Sequence, residues 1–259
     1  MERDTAAGAG TVGRVFALAA LVGSGVAVVL VLGLTFAVDE VDPIRRTISE
    51  YALLDGPKPV FDTGVLAFAA AALCALVALV RTRLVRAVSI ASAGLALAAV
   101  GLVAVVVFEK TNWAVGPSLG GTIHRYASLV AFLALPVAAI LVVRRHRGTT
   151  AAPPSSSGTG AAARPPWPRH AAWTRWLAVA SLLWFTPVLV GFAQRPFTGV
   201  SWWRAVPLGL VERGLALTEV LVAVALAAWA LAATRRPSVA APSPDSAADS
   251  PPGREMSRD

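Results

Sequence analysis

Charge is scarce in this chain. Only 15% of its 259 residues are Asp, Glu, Lys or Arg, where a soluble domain carries about a quarter. Two are lysines, Lys58 and Lys110. That shortage excludes a soluble core wrapped in a solvated charged surface. Cysteine occurs once, at Cys74, so neither an intramolecular disulfide framework nor a paired-cysteine metal site can form. Cys74 lies inside an apolar run and reads as a small core residue. Histidine occurs three times, at His124, His146 and His170. His146 and His170 belong to a polar linker, which leaves His124 alone with Asp62, Glu109 or Glu50. Catalytic zinc needs about three such ligands around one centre, so no metal and no cofactor are expected. Nucleic-acid motifs and aromatic–basic grooves are also missing. The formal net charge of +8 comes from basic residues standing singly or in pairs at the ends of apolar runs, where membrane topology needs them. No nucleic-acid partner is expected.

What is abundant is apolar surface. Residues of this type make up 56% of the chain, and they fall in runs of about 20, enough for a helix to cross roughly 30 Å of hydrocarbon. A lipid-embedded helix must satisfy its own backbone hydrogen bonds. The expected fold is therefore all-α: a polytopic membrane protein with six transmembrane helices. The spans read as residues 15–38, 60–80, 87–108, 121–143, 176–193 and 206–233. The first is too long for the apolar core of a signal peptide and has no clear small-x-small cleavage site, so it reads as a retained helix. Pro136 should bend the fourth span without breaking it. The chain thus divides into a disordered tail (1–14), helices one to four (15–143), a Pro/Ser/Gly-rich linker (144–172), helices five and six (173–233) and a second disordered tail (234–259).

Six spans put both termini on one side of the bilayer. The termini and the loops after spans two and four hold 15 of the 23 Lys and Arg residues, so the positive-inside rule makes that side cytoplasmic. Trp113, Trp202 and Trp203 then fall at the outer interface, and Trp173, Trp176 and Trp229 at the inner one. The Ala/Arg/Gly/Pro-heavy composition is that of a GC-rich bacterium, with the cell membrane as the expected location.

With this threading nearly every unusual polar residue falls at the outer ends of the helices. Ser49 and Glu50 lie in the first outer loop, Asp62 opens span two, Glu109 closes span three and His124 opens span four. Glu212, Arg213 and Glu219 lie in the outer half of span six. Each admits two readings. Thr47-x-x-Glu50 has capping-box spacing, with the Thr47 hydroxyl accepting from the Glu50 amide and Glu50 reaching back. It would start a short interfacial helix that Asp55-Gly56-Pro57 ends, with Ile48, Leu53 and Leu54 facing down. Alternatively Ser49 and Glu50 carry chemistry. His124 is a candidate general base, or an interfacial donor that pins loop to helix. Glu219 is an intramembrane acid, a functional candidate by default, or a protonated carboxyl bonded to a neighbour. Glu212–Arg213 is a ligand-binding pair, or an anchor in which Arg213 snorkels outward.

The stretches Ile48-Ser49-Glu50-Tyr51-Ala52 before span two, Gly121-Thr122-Ile123-His124-Arg125 opening span four and Gly209-Leu210-Val211-Glu212-Arg213 entering span six together resemble the domain-of-unknown-function family 998. Arg213 matches that family's usual basic position. The resemblance covers roughly residues 15–233 and implies a six-helix prokaryotic membrane protein with no established activity. The long linker before span five departs from the compact family loops. A distant likeness to membrane hydrolases of the alkaline-ceramidase type is also visible, but this chain lacks the several histidines those enzymes use for metal.

Three functions compete on the sequence. The first is a non-enzymatic integral membrane protein whose outer polar cluster binds a lipid or small ligand through Asp62, Glu109, Glu212, Arg213 and Glu219. The second is a membrane hydrolase of lipid esters or amides, in which Ser49 or an activated water attacks, His124 acts as base and Glu50 or Glu109 orients it. The third is a proton-linked carrier using Glu219, against which the absence of visible inverted repeats counts. The first is the expectation carried forward, with the bilayer as the certain partner.

Overall fold

The computed structural model describes residues 2–147 and 167–235. Most of the linker and of the second tail read from the sequence, 148–166 and 236–259, lie outside the described residues. The described chain is helical: α1 (Glu2–Ala37), a 3-10 helix (Ile48–Leu53), α2 (Lys58–Arg81), α3 (Ile90–Val107), α4 (Leu119–Arg147), α5 (Trp167–Leu183), α6 (Thr186–Thr198), α7 (Trp202–Ala205) and α8 (Leu208–Thr234). Six segments are long and apolar enough to cross a membrane: Gly10–Ala37, Lys58–Arg81, Ile90–Val107, Leu119–His146, Arg169–Thr198 and Leu208–Thr234.

Each helix follows from local sequence. In α1, Val15, Val22, Val29 and Phe36 recur every seventh residue and are 59–83% exposed, while Ala17, Ala20, Ser24, Ala27 and Leu34 are buried. A fully apolar exposed stripe of this length suits hydrocarbon rather than water. The small residues on the opposite face let α1 lie close against α2, the most extensive helix pair in the bundle. α3 starts at Ser89, whose hydroxyl accepts from the Ser92 amide at 3.2 Å, the usual N-cap arrangement. α4 runs unbroken through the buried Pro136. Buried alanines, among them Ala98, Ala131, Ala138 and Ala139, let α3 and α4 pack closely.

Two readings of the sequence shift. The residues taken as a tail before position 15 continue the first helix back to Glu2. Span five is two helices: the chain breaks at Trp184–Phe185, and Pro187 then occupies the first turn of α6, where its missing N–H costs nothing.

The bundle has two distinct ends. At one, Gly13 of α1 lies against Thr82 after α2 and Thr234 of α8. A large cluster around Leu79, Leu95, Leu226 and the fully buried Trp229 fills this half, and His146 meets Trp229 in a tilted ring contact with centroids 5.2 Å apart. His146 is therefore part of α4 packing rather than of a free linker; its Nε2 meets the Leu84 carbonyl at 2.8 Å. At the other end the 3-10 helix closes the bundle over a second cluster of Leu34, Val41, Ile48, Tyr51, Phe61 and Val105. We call this the polar end.

Candidate functional site: a closed-over apolar cavity at the polar end

The first interhelical loop is folded down onto the start of α8. The Asp42 carboxylate accepts from the amides of Ile44 (2.8 Å) and Arg45 (3.3 Å), and these bonds hold its carboxyl below the ordinary carboxylate range. The turn sets the Ile44 carbonyl to accept from the Leu210 amide at 3.0 Å. A methyl group at Gly209 would sit 2.6 Å from the Pro43 carbonyl oxygen, so only glycine lets the loop meet the helix here.

Two side chains of α8 then fasten the loop. Arg213 Nη1 donates to the carbonyls of Pro43 (3.0 Å), Arg46 (2.8 Å) and Gly209 (3.3 Å). Its Nη2 donates to the Tyr51 hydroxyl at 3.2 Å, and the guanidinium carbon stands 5.9 Å from the centre of the Tyr51 ring. Glu212 Oε2 accepts from the Ile48 amide at 2.6 Å. Ile48 is the first residue of the 3-10 helix, so Glu212 satisfies a donor that helix starts leave orphaned. The capping box expected from Thr47 and Glu50 does not form: Thr47 makes no side-chain cap. Glu50 instead pairs with Arg46 at 2.7 Å and Lys110 at 3.4 Å. Lys110 also donates to the Thr47 hydroxyl. Burial pushes the Lys110 ammonium below its ordinary value, with Glu50 and Glu212 opposing that shift. The buried face of the 3-10 helix is Ile48, Ser49, Tyr51 and Ala52, whereas Leu53 and Leu54 stay partly exposed.

Beneath this lid lies a cavity of about 420 Å³. Its body is aliphatic and aromatic, with Val28 and Val31 of α1, Phe61 and Phe68 of α2, Leu102 of α3 and Phe132 of α4 among its walls. Its polar lining is Thr35, Ser49, Ser128, Glu212 and Arg213. Trp184, at the α5–α6 break, closes one side, and its indole lies where any side chain on Gly214 would have to go. Leu32, Leu210 and Leu217 line the cavity and are each about half exposed, which sets its rim at the lipid-facing surface.

Of the residues read from the sequence, the structure gathers Ser49, Glu212 and Arg213 in the cavity wall, with Glu50 just behind it. The others stand apart. His124 is 4% exposed, and its Nδ1 meets the carbonyls of Val105 (3.0 Å) and Phe108 (2.9 Å). A carbonyl only accepts, so Nδ1 carries the proton and closes the C-terminus of α3. Among the described residues no hydrogen bond joins His124 to Ser49 or Glu50; the Ser49 hydroxyl donates to Thr47 at 3.2 Å. Asp62 pairs with Lys58 one turn earlier at 2.9 Å. Glu109 is exposed in the α3–α4 loop. Glu219 is 1% exposed, faces Ser181 of α5, and is not among the cavity-lining residues. Sequence reasoning placed Tyr51 in the first outer loop without giving it a role, and missed Lys110 and Trp184. A lysine in a chain with only two, set between apolar runs, was the available signal for Lys110. Nothing local marks Trp184.

Six apolar spanning helices, lipid-facing stripes and a small-residue interior define a multi-pass α-helical membrane protein. Within that class, the model of the family described as protein of unknown function (DUF998) matches residues 21–229, and the chain belongs to that family. No curated protein and no solved structure matches it.

Proposed function

We propose that this protein binds an amphiphile, a lipid or lipid-like small molecule, in the cavity at its polar end. The observation that carries the reading is the cavity itself: an apolar chamber of about 420 Å³ with its charged and hydroxyl groups supplied largely by Ser49, Glu212 and Arg213 at one end. Small-molecule sites have this character, predominantly apolar with a few placed polar groups, and volumes of about 300–1,000 Å³. The half-exposed rim of Leu32, Leu210 and Leu217 supports entry from the bilayer. The distribution of basic residues supports cytoplasmic termini in a bacterial cell membrane, with the cavity in the outer leaflet.

The alternatives draw less support. A hydrolase needs Ser49, His124 and an acid within reach of one another, yet each is bonded elsewhere. A carrier built on Glu219 needs that carboxyl to face a cavity, and it lies outside the wall. The test is lipid extraction and mass spectrometry of the purified full chain beside its Val28→Phe variant, which fills part of the chamber from the α1 wall. About one equivalent of a chain-bearing molecule should survive delipidation in the wild type and be lost in the variant. Equal lipid in both sinks the reading.

A further inference from the structure

We propose that the occupant is a single-chain amphiphile with an uncharged, hydrogen-bond-donating head, of the long-chain alcohol class; this rests on the amphiphile reading above. The argument is an inventory of donors and acceptors around the chamber. Every hydroxyl in the wall already spends its proton on the protein. Thr35 donates to the Val31 carbonyl at 2.8 Å, Ser128 to the His124 carbonyl at 2.8 Å, and Ser49 to the Thr47 hydroxyl at 3.2 Å. A hydroxyl has one donor but two acceptor lone pairs, so these side chains face a ligand as acceptors. Glu212 uses Oε2 on the Ile48 amide, and a carboxylate has about four acceptor positions and no proton to give.

Arg213 looks like an anion receptor and is not placed as one. Anions are gripped by two parallel N–H groups of the guanidinium fork. Here Nη1 serves three backbone carbonyls and Nη2 serves Tyr51. Nε is buried without a hydrogen-bond partner, and so is closed to a ligand. No open fork remains, and the one further side-chain donor in the wall is the neutral indole N–H of Trp184. A carboxylate or phosphate head would therefore meet acceptors in place of donors.

The charge of the head follows from the same residues. Glu212 and Arg213 are adjacent and opposite in sign, so the polar wall is already balanced. An ammonium head would satisfy the acceptors but would bring a second cation beside Arg213, and burying an uncompensated charge is costly. A neutral hydroxyl avoids both penalties: it donates to Ser49 and leaves the charge balance of Glu212 and Arg213 unchanged. One aliphatic chain matches the volume, which lies near the lower end of the range for small-molecule sites.

The experiment is native mass spectrometry of the delipidated full chain with three probes that share one alkyl chain: hexadecanol, hexadecanoate and hexadecylammonium. Hexadecanol should bind with a one-to-one ratio and at least about tenfold more tightly than either charged probe. Ser49→Ala should weaken hexadecanol about fivefold, the worth of one neutral hydrogen bond, and leave hexadecanoate unchanged. Val28→Phe should abolish all three, with Val31→Phe as the second blocking variant if the first does not fold. Hexadecanoate or hexadecylammonium binding as tightly as hexadecanol, and lost in a blocking variant, overturns the head-group inference while the amphiphile reading stands. No probe retained by the wild type, or retention unaffected by blocking, overturns both.

Discussion

The Glu212 carboxylate accepts a 2.6 Å hydrogen bond from the backbone amide of Ile48, 164 positions earlier in the chain. The last spanning helix thus caps the short helix that covers the cavity. The lid and α8 are a single hydrogen-bonded unit, and the residues that hold it are the ones that line the chamber.

Replacing Glu212 with alanine leaves the Ile48 amide without that acceptor. A hydrogen bond to a charged group contributes about 1.5–3 kcal/mol, and that loss should appear as a lower Tm. Deuterium exchange should rise at residues 48–53 and stay flat in α3. Glu212→Gln keeps a carbonyl oxygen in place and should recover most of the loss. Unchanged exchange in the alanine variant would refute the capping role.

Arg213→Lys should fail as a conservative change. An ammonium cannot span the carbonyls of Pro43, Arg46 and Gly209 and the Tyr51 hydroxyl at once. A destabilisation of about 2 kcal/mol is expected, with limited proteolysis at residues 42–47 as the readout. Arg213→Lys with wild-type protease resistance would show that the loop is held by its backbone bonds alone.

His124→Ala should cost about 1–3 kcal/mol by uncovering the α3 carbonyls of Val105 and Phe108. His124→Asn, which retains a donor, should cost less. Both variants should keep amphiphile binding within about twofold, since His124 is not a wall residue. Loss of binding at unchanged stability would give His124 a direct part in the site.

Lys110 sets a pH dependence. Its folded pKa lies below the ordinary 10.5 because burial disfavours the ammonium. Between the folded and unfolded values the unfolded chain binds more protons, so unfolding free energy rises with pH. The stabilising contribution is complete above 10.5 and is lost as pH falls through the lowered folded value. Comparing the pH dependence of Tm for wild type and Lys110→Gln on the alkaline side of neutrality isolates the effect: the variant should lack that part of the rise. Parallel curves would contradict it.

The membrane class, the six spans and the crowding of polar residues at one end were legible in the amino-acid sequence. Those follow from run length and hydropathy, because a helix in lipid satisfies its backbone internally and needs only enough apolar residues to cross. The sequence also brought Ser49, Glu212 and Arg213 forward, since charged and hydroxyl groups near an apolar run stand out. The tertiary structure decided what those groups do. The Thr47–Glu50 spacing promised a local cap, but a carboxylate from α8 reached the Ile48 amide instead, and Glu50 turned to Arg46 and Lys110. His124 looked like a base and became a donor to two carbonyls of α3. The chamber was invisible in the sequence, because its walls come from five α-helices, the 3-10 helix and Trp184, and its apolar wall residues, taken alone, are ordinary lipid-compatible side chains. Hydropathy records which side chains leave water; which of them fail to meet each other, and so leave room for a ligand, is set only when the helices pack.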